Sequence, residues 1–430
     1  MAVSTRIYGG GAIAFGGQPV INDLQSAGYD TVIMWSVHVV GADHTSNGIQ
    51  YYKGDLILNN TRIVSRGVYS EQETMNLPAN LASLRQGGKV KILFSVGAGG
   101  PTIHDWANIQ ALMGKDPGPT NILYKNFKAL LEAMAAVEGG GIDGVDYDNE
   151  DNLNTDVMVE FGQMLARIGY PHVTLCPYMA TNVWVDTVSQ LDAEFGAGFV
   201  SAIHLQCYSG GAGNTPLDWI NAFNAKMGSG FDAASLMMPG LSTAQSSSEG
   251  RWWVEKTKTK PAAPGACVKK EAAVAQFDDL SRYLKTKSNT TPEKAMQIAQ
   301  GDGAVTFFFY CKEELQIGEH TYIAAKDALF FTGAPTWGSA PHCDGYYLDC
   351  DCSGSLGWNP PLCADGCPAL LEKQYKAWNT GDPKTTPGGG FIWMYDSVLN
   401  CLTSSCCGGT PSKPVATATA YREAITTGLT

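Results

Sequence analysis

The sequence predicts an α/β fold, specifically a (β/α)8 TIM barrel with a large cysteine-containing insertion between strands seven and eight. Strand-like and helix-like segments alternate through roughly the first 240 residues, which is the pattern of a parallel sheet with crossover helices. A strand-like segment followed by a helix-like one ends the sequence, as the last βα unit of such a barrel requires.

The first seven predicted strands are short strand-like runs, each followed by a glycine-containing or polar loop. In chain order they are residues 5–14, 31–40, 90–96, 142–151, 173–179, 200–208 and 235–241. A hairpin is predicted over residues 55–64, after strand two. Apolar residues at helical spacing predict helices over residues 122–137 and 156–168.

Two segments compete for the eighth strand, residues 303–310 and residues 389–396. Only the second is followed by a final helix-like segment, residues 415–426, so we assign strand eight to it. The predicted parts are barrel strands one to seven (residues 1–242), an insertion (243–387), and strand eight with the closing helix (388–430). Helices are predicted in the insertion near residues 268–285 and 291–300.

Composition restricts the class of ligand. The formal net charge of -12 argues against nucleic acid or an anionic membrane as the main partner, and no apolar run is long enough to span a bilayer. Only 16% of the residues are charged, which suits a neutral polar ligand such as a polysaccharide. The first six residues contain no apolar leader, so we expect a removed leader or unconventional export. We expect the protein to be a monomer.

The 12 cysteines are unevenly distributed. Cys176 and Cys207 lie in predicted strands, whereas eight others crowd one loop-rich region: Cys343, Cys350, Cys352, Cys363, Cys367, Cys401, Cys406 and Cys407. An even, dense cluster favours disulfides and a secreted protein. Zinc is the alternative, but the spacings do not form two matched Cys-x2-4-Cys pairs.

The run from Ile142 to Asp151 places five acids and one glycine in a segment that otherwise has the character of a buried strand. Asp146, Asp148 and Glu150 share one face of such a strand. Unpaired buried carboxylates are costly, so three on one face predict a site where protons and hydrogen bonds are shared. A calcium loop is the alternative, but the glycine that an EF-hand requires at its sixth position is absent, and we expect no metal.

This run resembles the DGxDxDxE signature of family 18 glycoside hydrolases, the chitinase type, and matches every defining position. The resemblance implies hydrolysis in which the N-acetyl group of the substrate is the nucleophile, with no cofactor. It implies that Glu150 is the general acid and base, and that Asp148 orients the acetamido group with Asp146 behind it. Asp143, of opposite strand parity, and Gly144 are expected to be structural.

Other positions of the family pattern are present. Ser95-Val96-Gly97-Ala98 resembles the strand-three SxGG motif but ends in alanine, and Ser95 and Tyr8 are expected to hydrogen-bond the inner aspartate. Gln206-Cys207-Tyr208 resembles the Gln-x-Tyr motif of strand six, whose tyrosine holds the acetamido oxygen. Trp393 resembles the tryptophan at the floor of the sugar pocket, and Met179, at the end of strand five, is a further candidate contact. His204 is interpreted as a core histidine.

The predicted function is that of a retaining endo-glycosidase of chitin and other β-1,4-linked N-acetylglucosamine polymers. One alternative is an endo-β-N-acetylglucosaminidase that cuts the chitobiose core of N-glycans. Asn149 keeps this alternative open, since a polar residue before the acid is more typical of glycoprotein-directed members. A carbohydrate-binding lectin without activity is a second alternative, which the presence of Glu150 disfavours.

Overall fold

The computed structural model of the protein describes residues 2–243 and 366–430, and between them only short strands and Ala295. The first range lacks residues 47, 72–73, 75, 86, 100–102, 115–116, 212 and 229, and the second lacks 382–383, 403–406 and 408–411. The chain divides into two compact units, Met1–Trp252 together with Pro361–Thr430, and Trp253–Pro360.

The first unit is a closed barrel of eight parallel strands, as the sequence predicts. In chain order they are β1 (Ser4–Gly9), β2 (Thr31–Val39), β3 (Lys91–Val96), β4 (Gly144–Tyr147), β5 (Val173–Leu175), β6 (Val200–Gln206), β7 (Met237–Ser242) and β8 (Gly389–Trp393). Each strand pairs in parallel with the next, and β8 pairs with β1 to close the barrel.

Helices occupy the connections between these strands. They are Gly11–Phe15, Gly17–Ala27, Leu77–Arg85, Asp105–Met113, Ile122–Ala135, Thr155–Ile168, Thr181–Phe195, Pro216–Met227, Ala233–Leu236, Pro368–Thr380, Tyr395–Leu402 and Ala418–Leu429, with a 3-10 turn at Ser209–Gly211. The apolar residues whose spacing predicts the helices at 122–137 and 156–168 are buried, among them Leu123, Phe127, Phe161 and Leu165. None of the helices in the described ranges is both long and apolar enough to cross a membrane.

Strand alternation decides which side chains of β4 enter the barrel. Tyr147 points outward and packs on Trp106 and Phe161, with ring centroids 4.8 and 5.5 Å apart. Asp146 points inward, and its register partners are Ser95 on β3 and Thr174 on β5. The period of two therefore places the acids in the lumen and the aromatic ring against the helices.

Strands after β2 form an antiparallel extension of the barrel sheet. Leu56–Leu58 pairs with β2, and Thr61–Ser65 and Val68–Tyr69 follow in turn. The predicted hairpin over residues 55–64 is confirmed by the pairing of its two arms. A separate hairpin, His44–Ser46 with Ile49–Tyr51, lies between β2 and this extension.

The choice of residues 389–396 for strand eight is confirmed, because β8 pairs with both β7 and β1. The closing helix is Ala418–Leu429. Residues 368–380 fall within the predicted insertion, but they form a helix, Pro368–Thr380, that belongs to the barrel unit. Its Tyr375 hydroxyl hydrogen-bonds the backbone oxygens of Pro239 and Phe391, on β7 and β8.

The described residues of the second unit are short strands and Ala295, and the prediction of a helix near residues 268–285 is wrong. Five strands form an antiparallel sheet in the order Cys267–Glu271, Cys343–Asp349, Phe307–Cys311, Ala328–Phe331 and Tyr283–Lys287. Shorter pairs are Val274–Ala275 with Trp337–Gly338 and Leu315–Ile317 with Thr321–Ile323. Pairing between distant segments overrides local helical propensity here. The other predicted helix, residues 291–300, lies outside the described residues apart from Ala295.

One disulfide is described, Cys367–Cys407, which joins the start of the helix Pro368–Thr380 to a segment 40 residues further on. This confirms disulfide bonding within the predicted cysteine cluster. Cys350, Cys352, Cys363 and Cys406 lie outside the described residues. Cys176 and Cys207 are free thiols buried in the barrel.

Candidate active site

The three predicted acids meet at the carboxyl end of β4, the end at which TIM barrels carry their active sites. Asp146 lies within β4, and Asp148 and Glu150 follow its last residue, Tyr147. Asp146 and Asp148 are buried, whereas Glu150 is partly exposed. The acids thus lead from the barrel interior toward solvent.

Asp146 is held by four hydrogen-bond donors from four other strands. Its Oδ1 atom accepts from Thr174 Oγ1 at 2.6 Å and lies 2.7 Å from His204 Nδ1. Its Oδ2 atom accepts from Tyr8 Oη at 2.9 Å and Ser95 Oγ at 2.8 Å. Burial opposes ionisation of this carboxyl, but His204 and the hydroxyl donors outweigh burial and lower its pKa.

Asp148 has the opposite tendency. Its Oδ2 atom accepts from Trp35 Nε1 at 2.9 Å, and its Oδ1 atom accepts from Gln206 Nε2 at 3.2 Å. Burial, followed by the nearby charge of Glu150, nevertheless raises the pKa of Asp148 well above the ordinary aspartate value. The surroundings of Asp148 therefore favour its protonated form, whereas those of Asp146 favour the carboxylate.

Glu150 shares the same amide donor, with Gln206 Nε2 lying 3.1 Å from its Oε1 atom. Burial raises the pKa of Glu150, and hydrogen bonds from Gln206 and Asp148 offset part of this effect. Because Asp148 and Glu150 interact directly, their protons are best described as belonging to the pair. The site therefore combines an inner carboxyl whose surroundings favour ionisation with an outer pair whose surroundings favour protonation.

Aromatic rings form a wall beside the outer acids. Trp393, at the end of β8, stacks on Tyr208 with centroids 5.7 Å apart and meets Trp35 edge-on at 4.7 Å. Tyr8 packs on Trp393 at 5.4 Å from below. The face of a sugar ring carries C–H groups, and indole and phenol rings supply a matching apolar surface.

The remaining acids of the run have structural contacts. Asp143, at the start of β4, accepts from Arg85 Nη2 and from the backbone N–H of Ile92, both at 2.8 Å. Asp151 accepts from two backbone N–H groups in the first turn of the helix Asp105–Met113. Negative charge at a helix N-terminus is favourable. In the described part of the chain, no group of three or more His, Cys, Asp or Glu side chains could hold a metal ion.

Asn149 does not face the site. Its side chain is buried, and its amide exchanges two hydrogen bonds with the backbone of Asn152, at 2.8 and 3.1 Å. Both polar atoms of the amide are thereby used to brace the turn after Asp148. Because its polar atoms are used in this turn, Asn149 gives no basis for choosing between chitin and an N-glycan as substrate.

The comparison with family models found no match, and neither did the comparison with curated proteins. Solved structures that resemble the chain include a chitinase from Bacillus thuringiensis, 12% identical with a TM-score of 0.43, where the match covers 92% of this chain and 66% of that one. A family 18 chitinase from the chitin utilization locus of Flavobacterium johnsoniae is 11% identical with a TM-score of 0.40, covering 98% and 94%. A tamarind chitinase-like lectin is 13% identical with a TM-score of 0.30, covering 56% and 82%.

The chain resembles family 18 glycoside hydrolases. This chain spans just under two thirds of the Bacillus thuringiensis protein. The barrel itself is established by the strand pairing described above.

Where the family 18 pattern has a second glycine after strand three, this chain has Ala98, and the required space is found one residue later. A Cβ atom on Gly99 would lie 2.4 Å from Glu150 Oε2. A Cβ atom on Gly97, whose φ is +103°, would lie 2.2 Å from the backbone oxygen of Asp148. Gly99 thus leaves room for the acid, and Gly97 for the backbone that carries the acids.

Gly99→Ala is expected to lower kcat about 100-fold while the fold is kept. The new methyl group collides with the end of a flexible side chain, so Glu150 moves and the backbone does not. Hydrolysis kinetics measure the change in kcat, and the thermal unfolding midpoint shows whether the fold is kept. Ala98→Gly is the matched control and should leave kcat nearly unchanged. Equal kcat values in both variants would contradict this role for Gly99.

The structure brings together most of the predicted site residues. Tyr8, Ser95 and Gln206 contact the acids directly, and Tyr208 and Trp393 form the adjacent wall. Gly144 is buried in β4, where a Cβ atom would lie 2.6 Å from the backbone oxygen of His172. Met179, in contrast, is 48% exposed. The acids act electrostatically on its neighbour, Tyr178. Burial is the largest cause that raises the pKa of Tyr178, and the charges of Glu150 and Asp148 raise it further.

Sequence analysis missed three groups that contact the acids. Trp35 donates a hydrogen bond to Asp148, and Thr174 donates one to Asp146. His204, which the sequence analysis interprets as a core histidine, lies within hydrogen-bond distance of Asp146. Strand parity was the available signal for His204, because it lies two residues before Gln206 and so shares its face of β6. Thr174 lies two residues before Cys176 and therefore shares its face of the fifth strand, which is the corresponding signal for Thr174. For Trp35, which lies in the middle of β2, the sequence offered no comparable signal.

Proposed function

We propose that the protein is a retaining endo-glycosidase that hydrolyses β-1,4-linked N-acetylglucosamine polymers, with the substrate's acetamido group as nucleophile. The observation that carries the proposal is the arrangement of the three acids, in which each oxygen of Asp146 has two hydrogen-bond partners and Asp148 and Glu150 share the amide of Gln206. These surroundings raise the pKa values of Asp148 and Glu150 and lower that of Asp146.

In the first step, Glu150 transfers its proton to the glycosidic oxygen, and the bond from this oxygen to the anomeric carbon breaks. The carbonyl oxygen of the neighbouring acetamido group attacks the anomeric carbon and forms an oxazolinium ring. Asp148, whose shared proton resides on Glu150 at this step, accepts the acetamido N–H as a carboxylate and stabilises the positive charge on the ring. Tyr208 is assigned to the acetamido oxygen.

In the second step, Glu150, now ionised, removes a proton from water. The water oxygen attacks the anomeric carbon from the face that the leaving group vacated, and the ring reopens to an acetamido group. Two inversions at one carbon give overall retention. Asp146 is unsuitable as a protein nucleophile because each of its oxygens already has two hydrogen-bond partners.

The initial product of chito-oligosaccharide hydrolysis is expected to be the β-anomer. Proton NMR of freshly formed products distinguishes the anomers before mutarotation mixes them. An initial excess of the α-anomer would rule out the acetamido-assisted route, because that route requires retention.

Substrate choice is tested by incubating the protein in parallel with colloidal chitin and with a high-mannose glycoprotein. Release of chito-oligosaccharides from chitin supports the proposal. Cleavage confined to the glycoprotein would favour an N-glycan endo-β-N-acetylglucosaminidase, for which the side chain of Asn149 offers no support, since it is buried. Binding to chitin without hydrolysis would indicate a lectin.

We further propose that the protein acts outside the cell. The Cys367–Cys407 disulfide supports this proposal, because such bonds persist in oxidising compartments.

A further inference from the structure

A basic pair lies in the barrel interior below the acids, and the reaction steps above do not use it. Arg6, on β1, has its Nη1 atom 2.9 Å from Nε2 of His204, on β6. His204 is fully buried, and its other ring nitrogen lies 2.7 Å from Asp146 Oδ1. A continuous hydrogen-bonded chain therefore runs from Arg6 through His204 to Asp146.

The chemistry of Arg6 fixes the direction of these hydrogen bonds. A guanidinium group donates hydrogen bonds and has no acceptor, so Nε2 of His204 must accept. The proton of a neutral imidazole then resides on Nδ1, from which it is donated to Asp146. The Tyr8 hydroxyl, 3.0 Å from Nδ1, has one proton, and that proton is donated to Asp146 Oδ2.

Asp146 is consequently saturated with donors. Each carboxylate oxygen receives two, from Thr174 and His204 on one side and from Tyr8 and Ser95 on the other. A proton on Asp146 would turn one acceptor oxygen into a donor that faces other donors. Burial and the charge of Arg6 also lower the pKa of His204, which keeps the ring neutral despite the nearby carboxylate.

We infer that Arg6 and His204 are positioning residues that hold Asp146 ionised, so that the catalytic proton is shared by Asp148 and Glu150 alone. Arg6 acts by fixing the Nδ1–H tautomer of His204. The consequence for catalysis rests on the proposed function, whereas the inferred tautomer of His204 is independent of it.

The titratable groups around this chain come from several strands. They are Arg6 and Tyr8 on β1, Asp148 after β4, Cys176 after β5, and Asp30, which reaches Arg6 through Ser4. The Ser4 hydroxyl accepts from Arg6 Nε at 3.2 Å and donates to Asp30 Oδ1 at 3.0 Å. Asp30 thereby holds the guanidinium in place from the opposite side.

Nitrogen NMR of protein labelled with 15N-histidine tests the inference directly, since the chain has only seven histidines. The His204 signal, assigned by its loss in His204→Asn, should show a protonated Nδ1 and an unprotonated Nε2. It should not change between about pH 5.5 and about pH 8. In Arg6→Met, His204 should take up a second proton within this window, because the charge that disfavours it has been removed. Arg85→Met, which breaks the arginine contact of Asp143, is the control and should leave the signal as in the wild type.

Hydrolysis provides the second measurement. Arg6→Met should lower kcat/KM about tenfold near neutral pH and add a titration to its pH profile that is absent from the wild type and from Arg85→Met. A protonated Nε2 in the wild type, or a His204 signal unaffected by Arg6→Met, would overturn the inference. If Arg6→Met does not fold, the tautomer of His204 in the wild-type protein still tests the inference. The expected NMR result without hydrolysis of any substrate would refute the proposed function and leave the state of Asp146 as inferred.

Discussion

Glu150→Gln is expected to lower kcat for a fluorogenic chitobioside about 1,000-fold while substrate binding is retained. The substitution keeps the size of the side chain and its position beside Gln206, but it removes the proton donor that we propose for the leaving oxygen. Turnover measured at saturating substrate gives kcat, and titration of the inactive protein with a chito-oligosaccharide gives the dissociation constant. Unchanged turnover would exclude Glu150 as the general acid.

Asp143→Asn is the matched control for this experiment. Asp143 belongs to the same acidic run but lies at the opposite end of β4, where it binds Arg85 and the Ile92 backbone. The control should lower the unfolding temperature, because it weakens a partly buried ion pair, and should leave kcat nearly unchanged. A similar loss of kcat in both variants would show that the effect is structural.

Asp148→Asn is expected to lower kcat about 100-fold and to weaken the dependence of stability on pH. The loss of activity follows from the missing negative charge beside the oxazolinium ring. The effect on stability follows from burial, which raises the pKa of Asp148 above that of the unfolded chain. Such a group contributes stability that is fully present below the unfolded pKa and is lost as the pH rises through the folded pKa.

Thermal unfolding at about pH 5 and about pH 8 measures this effect. The wild type should be less stable at the higher pH, and the difference should be smaller in Asp148→Asn. Asp146→Asn should leave the difference between these two pH values unchanged, because the lowered pKa of Asp146 contributes stability that is lost only at lower pH. An unchanged pH dependence in Asp148→Asn would contradict the raised pKa.

The insertion shows where local pattern is insufficient. Residues 268–285 have helical spacing, yet strands form at Cys267–Glu271 and Tyr283–Lys287. Their partners, Cys343–Asp349 and Ala328–Phe331, are more than 40 residues further along the chain. A window of a dozen residues contains no information about such partners, which decide β-structure more than intrinsic preference does.

The sequence by itself determined the barrel, the eighth strand and the identity of the three acids. These features depend on the alternation of strand-like and helix-like segments and on acids at every second position from Asp146 to Glu150, and such patterns are visible without knowledge of any neighbour. The separation of Asp143 from the other acids follows from the same parity.

Only the tertiary structure decided which of these acids has surroundings that favour its protonated form. Asp146 and Asp148 are two residues apart and alike in sequence, but Asp146 meets Thr174 and His204 from β5 and β6, and Asp148 meets Trp35 from β2. The space that Gly99 leaves for Glu150 is likewise a contact between loops distant in sequence. Protonation depends on burial and on donors within a few ångströms, and barrel closure brings those donors from strands more than 20 residues away.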